Sequence, residues 1–273
     1  MGVAIPLKMV MYDTQYETCS VKLTGGFMSQ ISISRDSLMK AVQAVSGTAS
    51  RNPSLPILAS LLLVPDGQNL VITGTDLDTT SISSTQFEGE LLEPVTVNAK
   101  KLSDAIKAMP TNDLKISFKD KKCSVKSGKS NMSLQTSTAV EFPQMKFQAS
   151  AAQPISIPER ALKKALSLVS PVAPSADTRA ILNGVFFELE KEKINLVATD
   201  GFRMHLYSIP TPGLTESFSV ILPKKAAEEL NKMLADSDTL VTITHSVGMV
   251  KFETSRQTLI TKLIEGRFPD YRR

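Results

Sequence analysis

Two short motifs place carboxylates where they could do chemistry. Thr75-Asp76-Leu77-Asp78 sets two acids two residues apart, a spacing that could hold Mg²⁺. Thr199-Asp200 repeats the Thr-Asp pair, but Gly201 and Phe202 follow it and the second acid is missing. A Thr-Asp pair that recurs just after a strand reads more readily as a turn, with the Asp side chain bonding backbone amides. His205 stands close to Asp200, yet no Ser or Cys occupies a nucleophile elbow. Neither glycine-rich phosphate loop is present. Cys123 falls in an alternating strand pattern and reads as a packed thiol. Two histidines and two cysteines are too few and too scattered for a zinc site. These residues predict no metal, no cofactor and no catalytic group.

The basic side chains are better organised. Hydrophobic residues at helical spacing predict helices over 34–46, 99–109, 158–170 and 223–234. With Asn98 included, these segments carry a net +6 against +4 for the whole chain, so the positive charge sits on the helices. If the helices line one side of the sheets, they form a basic surface along which a phosphate backbone could lie. The plainer reading is that lysine suits any solvated helix face. Few aromatic residues interleave with these lysines, which argues against a base-stacking platform for single strands.

The elements that must position these groups occur twice. Shifting the chain by 124 residues matches Leu38 with Leu162, Val45 with Val169, Thr75-Asp76 with Thr199-Asp200, and Lys100-Lys101 with Lys224-Lys225. With two residues inserted the match resumes, Leu114 meeting Leu240 and Phe142-Pro143 meeting Phe268-Pro269. The pattern predicts a domain over 28–147, a small polar linker over 148–154 and a second domain over 155–273. Each copy reads helix, strands, helix, strands, with an Asp66-Gly67 hairpin turn between the first two strands of copy one. That is an α+β fold dominated by antiparallel sheet.

Residues 1–27 read as a poorly ordered extension ahead of Met28, without the apolar core of a secretory signal. Met1-Gly2 hints at myristoylation, but Pro6 stands where Ser or Thr is wanted. No run approaches the length of a membrane span, so no membrane partner is expected and the cytoplasm is the default location. Cys19 and Cys123 cannot build a disulfide scaffold.

Several segments carry a resemblance. Pro56-Ile57-Leu58 follows Arg51, and Thr73-Gly74-Thr75-Asp76-Leu77 comes next. More specific are Leu182-Asn183-Gly184, the run from Val197 to Arg203, and Leu222-Pro223-Lys224-Lys225. The run from Glu265 to Arg273 is the most specific of all. From about Ile31 to Arg273 the chain resembles the bacterial sliding clamps, the beta subunits of DNA polymerase III. The resemblance implies tandem clamp domains with sheets outside and two helices per domain on an inner face around duplex DNA. It implies a non-enzymatic processivity factor whose partners are duplex DNA, the polymerase III catalytic subunit, the clamp loader and repair polymerases, the proteins docking through short linear motifs. By the same resemblance Arg51, Lys100, Lys224 and Lys225 match DNA-facing positions, and Lys40, Lys101, Lys163 and Lys164 join them by helix placement. The positions matching the shared peptide pocket are Leu182, Thr199, Gly201, Phe202, Arg203, Met204, Pro269 and Arg273.

Members of that family carry three such domains and close as a head-to-tail dimer. This chain shows two, which implies either a shortened clamp with a half-built pocket or a homo-oligomer of three chains closing a six-domain ring. Two other readings stay open: a clamp-derived module that binds partner peptides without encircling DNA, and a metal nuclease built on Asp76, Asp78 and Asp200.

Overall fold

The computed structural model describes residues 29–49, 55–91, 93–150, 153–213 and 217–273. Arg51, Met28 and the 1–27 extension lie outside the described residues, as do positions 151–152 of the linker.

The first copy runs β1 (Ser29–Ser34), α1 (Arg35–Ser46), β2 (Ser60–Asp66), β3 (Asn69–Thr75), β4 (Thr79–Gln86), β5 (Glu88–Glu90), β6 (Val95–Asn98), α2 (Ala99–Ala108), β7 (Asp113–Lys119), β8 (Lys122–Ser127) and β9 (Ser130–Thr138). The second runs β10 (Ile155–Pro158), α3 (Glu159–Val169), β11 (Gly184–Glu190), β12 (Lys193–Thr199), β13 (Met204–Pro210), β14 (Phe218–Pro223), α4 (Lys224–Met233), β15 (Leu240–Ser246), β16 (Met249–Glu253) and β17 (Gln257–Lys262). The order of elements is the same in both copies except for the short β5. A 3₁₀ turn precedes β2 at Pro56–Ala59 and β11 at Ala180–Leu182, so Leu58 and Leu182 lie in turns just before their strands.

The helices form where one face can be buried. Leu38, Ala41, Val42 and Val45 of α1 are buried, as are Leu162, Ala165, Leu166 and Val169 of α3. Ser34 and Asn98 cap α1 and α2 by accepting the amides of Ser37 and Lys101. Pro158 and Pro223 stand immediately before α3 and α4, where a missing N–H removes no helical bond. Each copy has its own core, one drawn from Ile31 to Leu134 and the other from Ile155 to Leu259, with no residue in common.

Strand register refines the repeat. Ile33 pairs with Leu114 across β1 and β7, and Ile157 pairs with Val241 across β10 and β15. The counterpart of Leu114 is therefore Val241 and not Leu240. Leu114 and Val241 are buried, whereas Leu240 is 55 % exposed. A one-residue slip sends a strand's apolar set to the wrong face, so burial decides the alignment.

All strand pairs among the described residues are antiparallel. Thirteen strands form one sheet, β10-β15-β16-β17-β4-β3-β2-β6-β9-β8-β7-β1-β5, and β13-β12-β11-β14 form a second. The long sheet crosses from one copy to the other where Gln257–Thr261 of β17 pair with Thr79–Ser83 of β4. The hydroxyls of Thr79 and Thr261 meet at 3.1 Å in that joint. On the helical side, the carboxylate of Glu229 in α4 fills the space where a side chain at Gly47 would begin, so α4 abuts the end of α1. The four helices thus form a continuous row, α1 beside α2 and α3 beside α4, with α1 and α4 meeting at the joint.

Leu230 is fully buried between α4 and its sheet. Leu230→Ala should lower unfolding free energy by about 2–5 kcal/mol, read from urea denaturation. A loss under 1 kcal/mol would mean that α4 is not packed as described.

Candidate functional site

Two regions gather the candidate residues. The first is the solvent side of the helix row. Lys40, Lys100, Lys101, Lys164 and Lys225 are exposed and Lys224 is half-buried. Lys164 holds its ammonium 5.9 Å from the centre of the Tyr207 ring. Lys163 does other work. Its ammonium donates to the carbonyls of Asn231 (3.2 Å) and Leu234 (2.6 Å), closing the C-terminal end of α4. Glu159, buried on the same helix, accepts the Ala235 amide at 2.6 Å. Lys163 and Glu159 together fasten α3 to α4. Lys163 is thereby removed from the set of cations free to meet a phosphate.

The placement of the other lysines is informative. Lys100 and Lys101 open α2, and Lys224 and Lys225 open α4. Neither helix has an acid in its first turn. The helix dipole makes a cation at this end unfavourable, by about 0.3–1 kcal/mol. The dipole alone would favour these lysines in the last turn. Lysines at the N-termini of α2 and α4 instead make two electropositive points on the row, although the ammonium of Lys225 is paired with Asp76.

The second region is the turn between β12 and β13. The Thr199 hydroxyl donates to the Arg203 carbonyl at 2.8 Å and accepts the Gly201 amide at 3.0 Å. Asp200 accepts the amides of Phe202 and Arg203 through Oδ1, both at 2.9 Å, and its Oδ2 takes Nε of Arg203 at 3.0 Å. Gly201 has φ +90°, and a Cβ there would lie 3.1 Å from the guanidinium of Arg179. Arg179 is itself paired with Asp177 at 2.9 Å. The turn presents Phe202, which is fully exposed, followed by the exposed Met204 and Leu206. Thr199, Gly201, Phe202, Arg203 and Met204 are thus brought together on one rigid turn.

Leu182 is buried, packed with Val197, Ile221 and Phe268. It forms a floor rather than an open wall. Phe268 stacks on Phe186 at 4.7 Å, and Tyr271 meets Phe186 edge-on at 6.3 Å. Pro269 and Arg273 lie on the exposed segment that follows Phe268, where Arg273 pairs with Asp270 at 3.1 Å. That segment is anchored by Arg272, which grips Glu188 at 2.7 and 3.1 Å and also reaches Glu190, while Tyr271 donates to Glu188. Although burial acts against it, this bonding holds the Glu188 carboxyl below its usual range and, together with burial, pushes the Tyr271 phenol up to about 12. A groove of about 900 Å³ runs between residues 263–272, β14 and the β15–β16 turn. Of the predicted pocket residues only Pro269 lines it.

Sequence reasoning misses Arg179, Asp177, Phe186, Glu188 and the anchoring role of Arg272. Phe186, Glu188 and Arg272 meet partners far along the chain, which no local spacing marks, and the Asp177–Arg179 pair is local but joins the site only where Arg179 reaches Gly201 and the Asp200 carbonyl. Among the described residues no group of three or more His, Cys, Asp or Glu side chains could hold a metal ion. Asp76 and Asp200 hold turns, accepting the amides two and three residues ahead, which is the role the recurring Thr-Asp pair predicts. These bonds leave the metal-nuclease reading without a site. Burial pushes the Cys123 thiol up to about 12, so it is a packed thiol and not a nucleophile. No helix among the described residues is long and apolar enough to cross a membrane.

Comparison with known proteins bears on both regions. Residues 29–146 match the N-terminal domain of the DNA polymerase III beta subunit, and residues 156–270 match its central domain. The beta sliding clamp of Pseudomonas putida is 35% identical over 246 residues, 88% of this chain and 66% of that protein. The beta sliding clamp of Escherichia coli K12 is 33% identical over 251 residues, 89% of this chain and 67% of that protein. Among solved structures, the sliding clamp of Bacillus subtilis superposes with TM-score 0.84 at 25% identity, covering 89% of this chain and 67% of its own. The Pseudomonas aeruginosa sliding clamp bound to griselimycin superposes with TM-score 0.83 at 32% identity, covering 91% and 67%. The chain therefore spans about two thirds of the length of these relatives.

The amides of Arg203 and Phe202 hold the Asp200 carboxyl well below its usual range, at about 2. A depressed folded pKa means that the turn's stabilisation is present above about pH 4 and is lost as pH falls through about 2. Carboxyl-carbon NMR should show Asp200 titrating near 2. A midpoint in the ordinary carboxylate range would mean that the amides do not point at it.

Proposed function

The chain belongs to the DNA polymerase III beta subunit family, the bacterial sliding clamps, and from that premise we propose that it is a processivity clamp or a part of one. In this reading duplex DNA lies along the helix row. The clamp has no catalytic step: it holds the duplex loosely and tethers a polymerase to it. Diffuse attraction to phosphates, without contacts to base edges, centres the duplex and lets it slide.

One observation carries this reading. Lys100 and Lys224, which open α2 and α4, sit at equivalent places in the two copies, where they cost the helices stability. The row is continuous across the joint, so the two positive points face one side of the molecule. The separate cores support reading the chain as two clamp units, 28–147 and 155–273, linked by 148–154.

The turn at 199–204 supports the second half of the proposal, capture of short peptides from polymerase, clamp loader and repair proteins. Phe202, Met204 and Leu206 offer apolar contact to a Leu or Phe anchor. Arg203 and Arg179 rim them with cations for an acidic group. Closure through copies of this chain belongs to the same reading, with light scattering as its check.

Lys100→Ala combined with Lys224→Ala should make the slope of log K against log [salt] for a short duplex shallower by about 1.8. An unchanged slope would place the duplex elsewhere. Arg203→Ala should weaken binding of a peptide with Leu or Phe anchors and an acidic residue about tenfold by calorimetry, without shifting the thermal midpoint. Superimposable isotherms would remove the turn from the peptide site.

A further inference from the structure

Lys225 differs from the other candidate phosphate-facing lysines of the helix row in having a carboxylate pressed against it. Its ammonium makes an ion pair with Oδ2 of Asp76, which lies in the β3–β4 turn of the other copy. The Lys225 side chain is 53 % exposed and that of Asp76 only 14 %. Oδ1 of Asp76 is occupied by the amides of Asp78 (3.1 Å) and Thr79 (2.7 Å). Those two bonds fix the carboxylate before the lysine arrives, so little side-chain freedom is lost in forming the pair. The surroundings tighten it further. Lys262 bonds Asp78 at 3.0 Å, and the Lys262 amide donates to the Asp78 carbonyl at 2.8 Å. Among the described residues, Lys40, Lys100, Lys101 and Lys224 have no carboxylate partner.

The second copy shows what this arrangement replaces. Asp200 is the equivalent of Asp76, and its Oδ1 accepts the amides two and three residues ahead in the same way. Its Oδ2 takes Arg203 from its own turn. In the first copy the position of Arg203 is held by Thr79, which cannot reach back as a cation. The free oxygen of Asp76 is therefore left to a lysine from across the joint.

We propose that Asp76 is an internal competitor for Lys225: it neutralises that cation in place and sets how many charges of the helix row are available to a phosphate backbone. This rests on the reading of the row as a DNA-facing surface. A phosphate that draws Lys225 away must give up an interaction between the two copies. By reciprocity, duplex occupancy and the joint then oppose each other.

The test uses the full chain and a fluorescent duplex, with association measured over a salt series. Asp76→Asn keeps an oxygen for the two turn amides and removes the charge facing Lys225. It should bind more tightly at each salt concentration, with a slope steeper by about 0.9. Lys225→Ala should keep the parent slope, and the double variant should return to it. Three results would overturn the proposal. One is an unchanged slope for Asp76→Asn. Another is a steepened slope that persists in the double variant, which would assign the effect to the general field. The third is a shallower slope for Lys225→Ala alone, which would mean that the lysine already serves phosphate. If the parent chain shows no salt-dependent association at all, the DNA-facing reading itself falls, and this proposal with it.

Discussion

The antiparallel ladder between β17 and β4 is the constraint on which the rest of the molecule depends. Backbone hydrogen bonds allow little change of angle or register, so this ladder sets how one copy sits against the other. It makes one sheet out of strands separated by most of the chain. It also brings the end of α1 against α4, turning two helix pairs into a single row. The strand at its centre is rich in hydroxyls, and these satisfy one another. Thr75 meets Thr80 at 2.8 Å, and Thr79 meets Thr261 at 3.1 Å. Hydroxyl pairs allow close sheet packing without a third hydrophobic core at the joint.

With the row fixed, charge placement becomes meaningful. Lysine at a helix N-terminus works against the dipole, and here it occurs twice at matching places. Lys163, adjacent in sequence to Lys164, has a different purpose. A step of one residue is about 100° around a helix, which turns Lys163 towards the carbonyls of α4 and Lys164 towards solvent. Composition counts both as part of a basic face, and geometry keeps only one. The turn at 199–204 shows the same division of labour within a single residue. One oxygen of Asp200 builds the turn, and the other holds Arg203 beside the apolar side chains.

Much of this architecture is legible in the sequence. The repeat, the four helices and the hairpin follow from apolar spacing and turn residues, because each helix buries one face against its own sheet. β4 escapes that kind of reading. Residues 79–86 alternate no apolar face, since they are flanked by β3 and β17 and buried through small hydroxyls. β1 and β10 run directly into the helices they precede, so their alternation does not stand out. The alignment of Leu114 is another instance: an identical residue lies at Leu240, but the inward-facing one is Val241. In the candidate site, the turn residues are contiguous and so legible together. Phe186 with Phe268, Glu188 with Arg272, and Asp76 with Lys225 join distant parts of the chain, and no local pattern encodes those meetings.

The joint also imposes an order on the chain's birth. β4 is complete once residue 86 has been made, but its partner β17 ends at Lys262. At about 5–20 residues per second, the first copy leaves the ribosome with an uncovered sheet edge for roughly ten to thirty-five seconds. An open edge is a template for wrong pairing. The hydroxyl-rich, apolar-poor face of β4 gives a neighbouring nascent chain little to adhere to during that interval. The polar strand at the joint therefore serves the growing chain as well as the finished one.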